Sequence, residues 1–137
     1  MSNKDRLNRG EVTVLDAAAA TGAGTAVKIG QFRHALVSIA TDGGGDAALT
    51  VKCQGSIQET APTWTSAQSV TNHYDFIHMY DMQNATGLAG DTGFVVATAD
   101  DYRLFMVNVD GLQWLNFRVT ARAEGEVTVK VRLFSNL

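Results

Sequence analysis

The chain has 137 residues and a formal net charge of −3. This length suits one domain that buries about two-thirds of its unfolded surface, and the weakly acidic balance argues against nucleic-acid binding as the main task. A single cysteine, Cys53, excludes an intramolecular disulfide and a thiolate metal cluster. No apolar run reaches the roughly 20 residues of a membrane helix, so we expect no membrane partner.

Residues 1–10 are expected to form a flexible N-terminal arm. They carry Lys4, Arg6 and Arg9 among Ser and Asn, with too few apolar residues to order themselves. The arm also lacks the apolar core of a secretory signal, so we expect synthesis in a cytoplasm. Residues 11–137 are predicted to form a single β-sandwich domain.

The chain beyond the arm predicts eight to ten short strands and no convincing helix. Polar and apolar residues alternate with a period of two, which is typical of half-buried strands, and 13 glycines supply turns. Such evenly spaced strands indicate an all-β fold, an antiparallel β-sandwich or jelly roll. The clearest runs are residues 11–16, 25–29, 33–41, 48–57, 93–99 and 102–109.

Three glycines at positions 43–45 predict a turn. They lack the Lys and the Ser or Thr of a phosphate loop, so we expect a hairpin tip that pairs residues 33–41 with residues 48–57. The first of these strands is apolar on both faces, which is typical of a central strand. Cys53 falls on the apolar face of the second strand and is interpreted as a packed core residue.

Residues 74–82 are rich in aromatic side chains and methionine. Strand alternation puts one set of side chains on a common face, where we expect a subunit interface: Tyr74, Phe76, His78 and Tyr80. His73 and Asp75 resemble part of a metal site, but a strand turns His78 to the other face. We therefore expect no metal.

The last 24 residues contain two alternating runs that meet at Gly125. A three-residue loop with a left-handed residue at or beside Gly125 would pair Val119 with Val131 and put every apolar side chain on one face. Arg118 and Arg132 would then lie opposite each other, so we expect something negative near them. The outward face is either solvated or a docking surface for an acidic partner, and it carries Arg118, Arg122, Lys130 and Arg132.

Catalytic signatures are missing from the sequence. There is no Gly-x-Ser-x-Gly elbow, and the neighbouring Asp100 and Asp101 would diverge on a strand rather than act as a glycosidase pair. We expect no enzyme activity and no cofactor. Trp64 and Trp114 are the candidates for stacking on a sugar ring, and Trp114 lies on the polar face of its strand.

Several short segments carry a family resemblance: residues 19–27 (AATGAGTAV), 35–39 (ALVSI), 54–56 (QGS), 102–105 (YRLF) and 112–119 (LQWLNFRV). In these segments the chain resembles small all-β bacteriophage virion structural proteins of the capsid decoration, or cement, type. The resemblance covers nearly the whole chain after residue 10. It departs at residues 59–63 (ETAPT), where an acidic turn such as Asp-Gly would be expected before the tryptophan.

The resemblance implies a protein that binds the outer surface of a phage head and stabilises contacts between capsomers. Its partner would be the major capsid protein, it would form a homo-oligomer, with a trimer favoured, and it would reside on the virion. The arm cations and the basic face are the candidates for the capsid contact. The alternative is a receptor-binding or carbohydrate-binding β-sandwich module of a phage tail or fibre, with Trp64 or Trp114 stacking on the ligand.

Overall fold

The computed structural model describes residues 10–135, so the arm residues Lys4, Arg6 and Arg9 lie outside the described part. Within residues 10–135 the chain forms twelve strands and no helix. The strands are β1 (Val12–Ala18), β2 (Gly22–Ala23), β3 (Val27–Lys28), β4 (His34–Asp42), β5 (Ala48–Ser56), β6 (Asp75–Phe76), β7 (Met79–Asp81), β8 (Thr86–Leu88), β9 (Phe94–Val96), β10 (Tyr102–Asn108), β11 (Trp114–Glu124) and β12 (Glu126–Phe134).

Two antiparallel sheets pack as a sandwich, which confirms the predicted fold class. Sheet A has the strand order β1-β12-β4-β10-β7-β8, and sheet B has the order β2-β11-β5-β6, with β3 also on β11 and β9 also on β5. Strand β4 lies between β12 and β10, as its two apolar faces predict. The strand count exceeds the predicted eight to ten because several strands are only two or three residues long.

The core forms where the inward faces of the two sheets meet. Val37 on β4 and Val131 on β12 are buried from sheet A, and Phe117 on β11 is buried from sheet B. Phe94 and Phe105, one from each sheet, meet edge to face with ring centroids 5.0 Å apart. Full burial of one such side chain contributes about 1.5–3 kcal/mol, so the alternating apolar residues stabilise the sandwich directly.

Cys53 belongs to this core, as the sequence predicts. Its thiol is buried and free, and burial raises the pKa of the thiol because the charged thiolate loses its hydration. The side chain therefore acts as a small apolar residue of β5.

The predicted C-terminal hairpin is wrong, because the chain crosses from one sheet to the other at Gly125. Val119 on β11 pairs with Val51 in sheet B, whereas Val131 on β12 pairs with Val37 in sheet A. The two apolar faces therefore oppose each other across the core instead of sharing one ribbon. A hairpin and a crossover between sheets require the same alternation of polar and apolar residues, so the sequence pattern favoured the hairpin, which is the simpler arrangement. The left-handed conformation expected at Gly125 is confirmed, with φ of 87°.

The predicted hairpin at glycines 43–45 is wrong for the same reason. Strand β4 belongs to sheet A and β5 to sheet B, so this turn is also a crossover. The carboxylate of Asp100 fixes it by accepting hydrogen bonds from the backbone N–H groups of Gly43 and Gly45, at 2.8 and 2.9 Å. The glycines thus carry the chain over the end of the sandwich.

Candidate protein-binding surfaces

The outer face of sheet B is partly covered by the protein's own loop, residues 57–73. The Trp64 carbonyl accepts hydrogen bonds from Nε2 of Gln54 at 3.0 Å and from a guanidinium nitrogen of Arg118 at 3.3 Å. These contacts hold the loop on the sheet, and Trp64 is only 8% exposed. The expectation that Trp64 offers a stacking platform is therefore wrong, because its ring is packed inside the loop.

The aromatic set of residues 74–82 does not share one face, which corrects the predicted subunit interface. The chain crosses between the sheets here too, so Phe76 lies on β6 of sheet B and Tyr80 on β7 of sheet A. Tyr74 is buried beside Trp64, with ring centroids 6.0 Å apart, while His78 is exposed. Of the four, Tyr80 alone lies exposed on a strand of sheet A.

Phe76 and Trp114 both carry a cation over the ring. Nζ of Lys52 lies 5.1 Å from the Phe76 ring centroid, and Nζ of Lys28 lies 5.8 Å from that of Trp114. The indole Nε1 of Trp114 donates to the carbonyl of Glu59 at 3.3 Å. Trp114 is half-buried rather than fully exposed, so less of its ring is open to a ligand than the sequence suggested.

The four predicted surface cations fall on two faces of the molecule rather than one. Arg118 and Arg122 lie on β11 of sheet B, whereas Lys130 and Arg132 lie on β12 of sheet A. The expected pairing of Arg118 with Arg132 is wrong, since Arg118 pairs with Lys52 across the sheet. Arg118 donates to the Trp64 carbonyl and Lys52 packs on Phe76, so the two like charges have separate partners.

The outer face of sheet A carries a contiguous set of apolar side chains, here named the sheet A patch. Cross-strand pairing places Met106 between Leu36 on β4 and Tyr80 on β7, and the backbone N–H of Met82 donates to the carbonyl of Leu104 at 3.1 Å. Four members are strongly exposed: Tyr102 at 69%, Leu104 at 48%, Met82 at 45% and Tyr80 at 42%. The patch consists of Leu36, Tyr80, Met82, Tyr102, Leu104 and Met106.

Two cations border the sheet A patch on its β12 side. Arg132 pairs with Leu36 and Lys130 with Ser38 in the sheet register. A groove of about 130 Å³ lies where this border meets the patch, and it is lined by Leu36 and Leu104 of the patch and by Lys130, Arg132 and Glu11. Nζ of Lys130 lies 3.3 Å from a carboxylate oxygen of Glu11. The face therefore combines an apolar centre with mixed charge along β12, where Glu126, paired with Asp42, lies toward the opposite end from Lys130 and Arg132.

Two partly buried ion pairs of Arg103 hold the strands beneath the patch. A guanidinium nitrogen of Arg103 on β10 lies 2.8 Å from the carboxylate of Asp81 on β7, and Nε of the same residue lies 3.2 Å from the carboxylate of Asp101. Asp81 is buried and also accepts a hydrogen bond from the backbone N–H of Gln83. Strand β7, which carries Tyr80, is thereby fixed against β10.

Sequence reasoning singled out Tyr80, Lys130 and Arg132 but missed the rest of this surface. The sequence did contain a signal for this surface, because apolar residues such as Leu36 on β4 and Leu104 on β10 occupy outward positions. Such residues indicate that the outer face of the sheet is covered by something. No other element covers them in the described part of the chain, because the long loop 57–73 packs on the opposite sheet.

The two neighbouring aspartates that the sequence weighed as a catalytic pair have structural contacts. Asp100 and Asp101 diverge as predicted. The Asp100 carboxylate accepts a hydrogen bond from the 43–45 turn, and the Asp101 carboxylate forms an ion pair with Arg103. Within residues 10–135 no three His, Cys, Asp or Glu side chains are grouped so that they could hold a metal ion. The same residues contain no helix of the length and apolarity needed to cross a membrane.

Comparison with known proteins places the fold among β-sandwiches that include phage-derived proteins. No protein-family model and no curated protein matches the sequence. The crystal structure of the SPBc2 prophage-derived protein YomS is similar, with a TM-score of 0.68 and 15% identity over 94% of this chain and 96% of that chain. The crystal structure of the PBSX exported protein XepA has a TM-score of 0.66 and 14% identity over 93% of this chain.

The two matches differ in how much of each known protein they include. This chain spans almost the whole of YomS but only 38% of XepA. At such low identity the likeness shows a shared fold, and the sheet A patch has to be interpreted from its own chemistry.

Proposed function

We propose that this protein decorates the outer surface of a bacteriophage head, where it binds the major capsid protein and stabilises contacts between capsomers. The observation that carries the proposal is the bare sheet A patch, with Leu104 48% and Tyr102 69% exposed on a sheet face that no other described element covers. Contiguous exposed apolar surface marks a site of protein interaction. The role needs no catalytic residue and no cofactor, because the added shell stability comes from binding itself.

Two further findings support a binding role on a phage particle. The fold is shared with the prophage-derived protein YomS over 96% of the length of that protein, and the sequence segments described above resemble capsid decoration proteins. Carbohydrate binding on a tail or fibre has less support, because Trp64 and Tyr74 are buried. The proposal includes a homotrimer, synthesis in the bacterial cytoplasm and a final location on the virion.

The proposal is tested by adding the purified protein to expanded capsids assembled without it. We expect saturable co-sedimentation at a fixed number of copies per capsid, together with a higher temperature of capsid disruption. Unchanged disruption temperature with no co-sedimentation would contradict the proposal. Electron microscopy of virions carrying a labelled copy gives the location, and label on the tail instead of the head would favour the fibre module.

A further inference from the structure

We infer that the sheet A patch recognises a second copy of this chain, in a two-fold contact that closes the patch while the protein is free of the capsid. One patch holds one occupant at a time, so the contact with a second copy and the contact with the capsid exclude each other. The two-fold contact goes beyond the proposed function, because it belongs to the free protein and is separate from the homotrimer proposed on the phage head.

The outward side chains of sheet A form successive rows that run across the strands. The first row is acidic, because Glu126 on β12 pairs with Asp42 on β4. The fourth row has Arg132 at the other end of the outward side of β12, where it pairs with an apolar residue of β4. The two rows between them carry the exposed apolar side chains Tyr102 and Leu104 on β10. Opposite charges therefore lie at the two ends of a face that is apolar in the middle.

The acidic row lacks a cation within its own chain. Glu126 and Asp42 are direct cross-strand neighbours, and like charges in such positions repel each other. Among residues 10–135 the ion pairs involve neither of these carboxylates. Asp42 accepts a hydrogen bond from the backbone N–H of Gly44 at 3.4 Å, which leaves its negative charge in place. A cation brought over this row relieves a repulsion that the folded chain already contains.

A two-fold axis that runs across the strands, midway between the first and fourth rows, matches these charges. In such a contact the same surface of both copies meets itself, so every pairing occurs twice. Glu126 then lies over Arg132 of the second copy, and Arg132 lies over Glu126 of the second copy. By the same operation Leu104 lies over Tyr102 of the second copy. The contact thus has an apolar centre and complementary charges at both ends.

The contacts that the two cations of β12 already make are compatible with this arrangement. Lys130 lies in the third row, so the axis places it over the uncharged Thr128 of the second copy and keeps its 3.3 Å contact with Glu11. Arg132 also has an interaction within its own chain. A guanidinium has five N–H donors and serves more than one acceptor, so the two-fold contact adds a carboxylate to the surroundings of Arg132.

A two-fold axis that runs along the strands lacks this match. Through the centre of the patch it brings β12 over β7, so that Arg132 lies over Tyr80, which belongs to the same row. Glu126 then faces no cation, because neither β7 nor β8 contains Lys or Arg. Charge complementarity therefore favours the axis across the strands.

The size of the face suits a weak contact that can be exchanged. Neighbouring strands lie about 4.8 Å apart and each residue rises about 3.4 Å, so four rows on the four strands from β12 to β7 cover on the order of 400 Å² on each copy. A standard interface buries about 800 Å² on each partner, and smaller ones are transient. We therefore expect the two-fold contact to depend on protein concentration.

Sedimentation velocity over a range of protein concentrations tests the contact without any capsid. Leu104→Asp puts a charge at the centre of the contact, and Val95→Asp is its control, because Val95 is 58% exposed on sheet B. At high concentration we expect the wild type and Val95→Asp to reach twice the mass of Leu104→Asp. Equal masses for the wild type and Leu104→Asp at every concentration would overturn the inference.

Two charge reversals test the position of the axis. Glu126→Arg puts arginine over arginine and Arg132→Glu puts glutamate over glutamate, so each variant alone should associate about tenfold more weakly than the wild type. An equimolar mixture of the two variants restores opposite charges at both ends, and we expect association within about twofold of the wild type. A mixture that associates no better than the single variants would overturn the inference.

Recovery on mixing separates a contact between copies from an effect inside one chain. Positions 126 and 132 of the same strand are about 20 Å apart, which is beyond the Debye length of about 8 Å at physiological ionic strength, and mixing leaves each chain unchanged. Thermal unfolding of every variant establishes that it is folded before association is measured.

The outcome for the two-fold contact is independent of the outcome for the proposed function. A wild type that binds capsids but never doubles its mass in solution would overturn the inference and leave the proposed function standing. A wild type that doubles its mass through the patch but binds no capsid would support the inference and contradict the proposed function.

Discussion

Replacing Gly125 by alanine distinguishes the crossover at this residue from the hairpin tip that alternation predicts. Gly125 has φ of 87°, and a Cβ built on it would lie 2.9 Å from the Cβ of Ala47 and 3.0 Å from the carbonyl oxygen of Asp42. The left-handed conformation costs about 1–2 kcal/mol for a residue with a Cβ. Crowding against a packed neighbour adds about 1–3 kcal/mol. We expect Gly125→Ala to lower the free energy of unfolding by about 2–5 kcal/mol.

Two other glycines separate these contributions. Gly44 also has a left-handed φ, of 66°, but a Cβ there would meet no atom within 4 Å, so Gly44→Ala should show the conformational cost alone. Gly10 has neither constraint, so Gly10→Ala should change stability by no more than about 0.5 kcal/mol. Urea unfolding followed by fluorescence gives all three values, with an unchanged m-value as the sign of a simple stability change.

A hairpin tip would stand in solvent, with free space beside Gly125. In that case Gly125→Ala and Gly44→Ala would cost the same, and equal values would refute the crossover. A larger loss at Gly125 is expected only where the turn packs against Ala47 and Asp42, as in the structure.

The other predictions concern buried polar contacts and the thiol. Asp100→Ala should cost about 1–3 kcal/mol in thermal unfolding, because it leaves the amide donors of the 43–45 turn without their acceptor; an unchanged melting temperature would contradict that role. Asp81→Asn should cost about 3 kcal/mol by urea unfolding, since it breaks a mostly buried ion pair with Arg103, and a loss below about 0.5 kcal/mol would show the pair to be unimportant. Cys53 should react with a thiol reagent at neutral pH only after unfolding, because burial raises the pKa of its thiol and blocks access; rapid labelling of the native protein would argue against a packed core position.

The two sheets have different surroundings, and the difference follows from where the long connection lies. The 57–73 loop packs on sheet B through the Trp64 carbonyl, which receives hydrogen bonds from Gln54 and Arg118. Sheet A receives no such cover from the described residues, so its apolar outward side chains stay exposed. The sandwich is therefore asymmetric, with one outer face covered by its own loop and the other left uncovered by the described residues.

The sequence by itself determined the long strands, their buried faces and the turn glycines. Period-two alternation identified the inward side chains Val119 and Val131, which are both buried, and glycine at position 125 correctly indicated a left-handed turn. These features are local, because side-chain alternation and backbone φ depend on neighbouring residues only.

Only the tertiary structure decided which sheet each strand joins and therefore which side chains share a surface. Val119 pairs with Val51 and Val131 with Val37, partners far away along the chain. A hairpin and a crossover need the same alternation and the same glycine turn, so no local pattern separates them. The sheet A patch depends on this choice, because Leu36, Tyr80 and Leu104 become neighbours only when β4, β7 and β10 enter the same sheet. Burial of apolar area across the whole sandwich selects that arrangement, and it is a property of the complete fold.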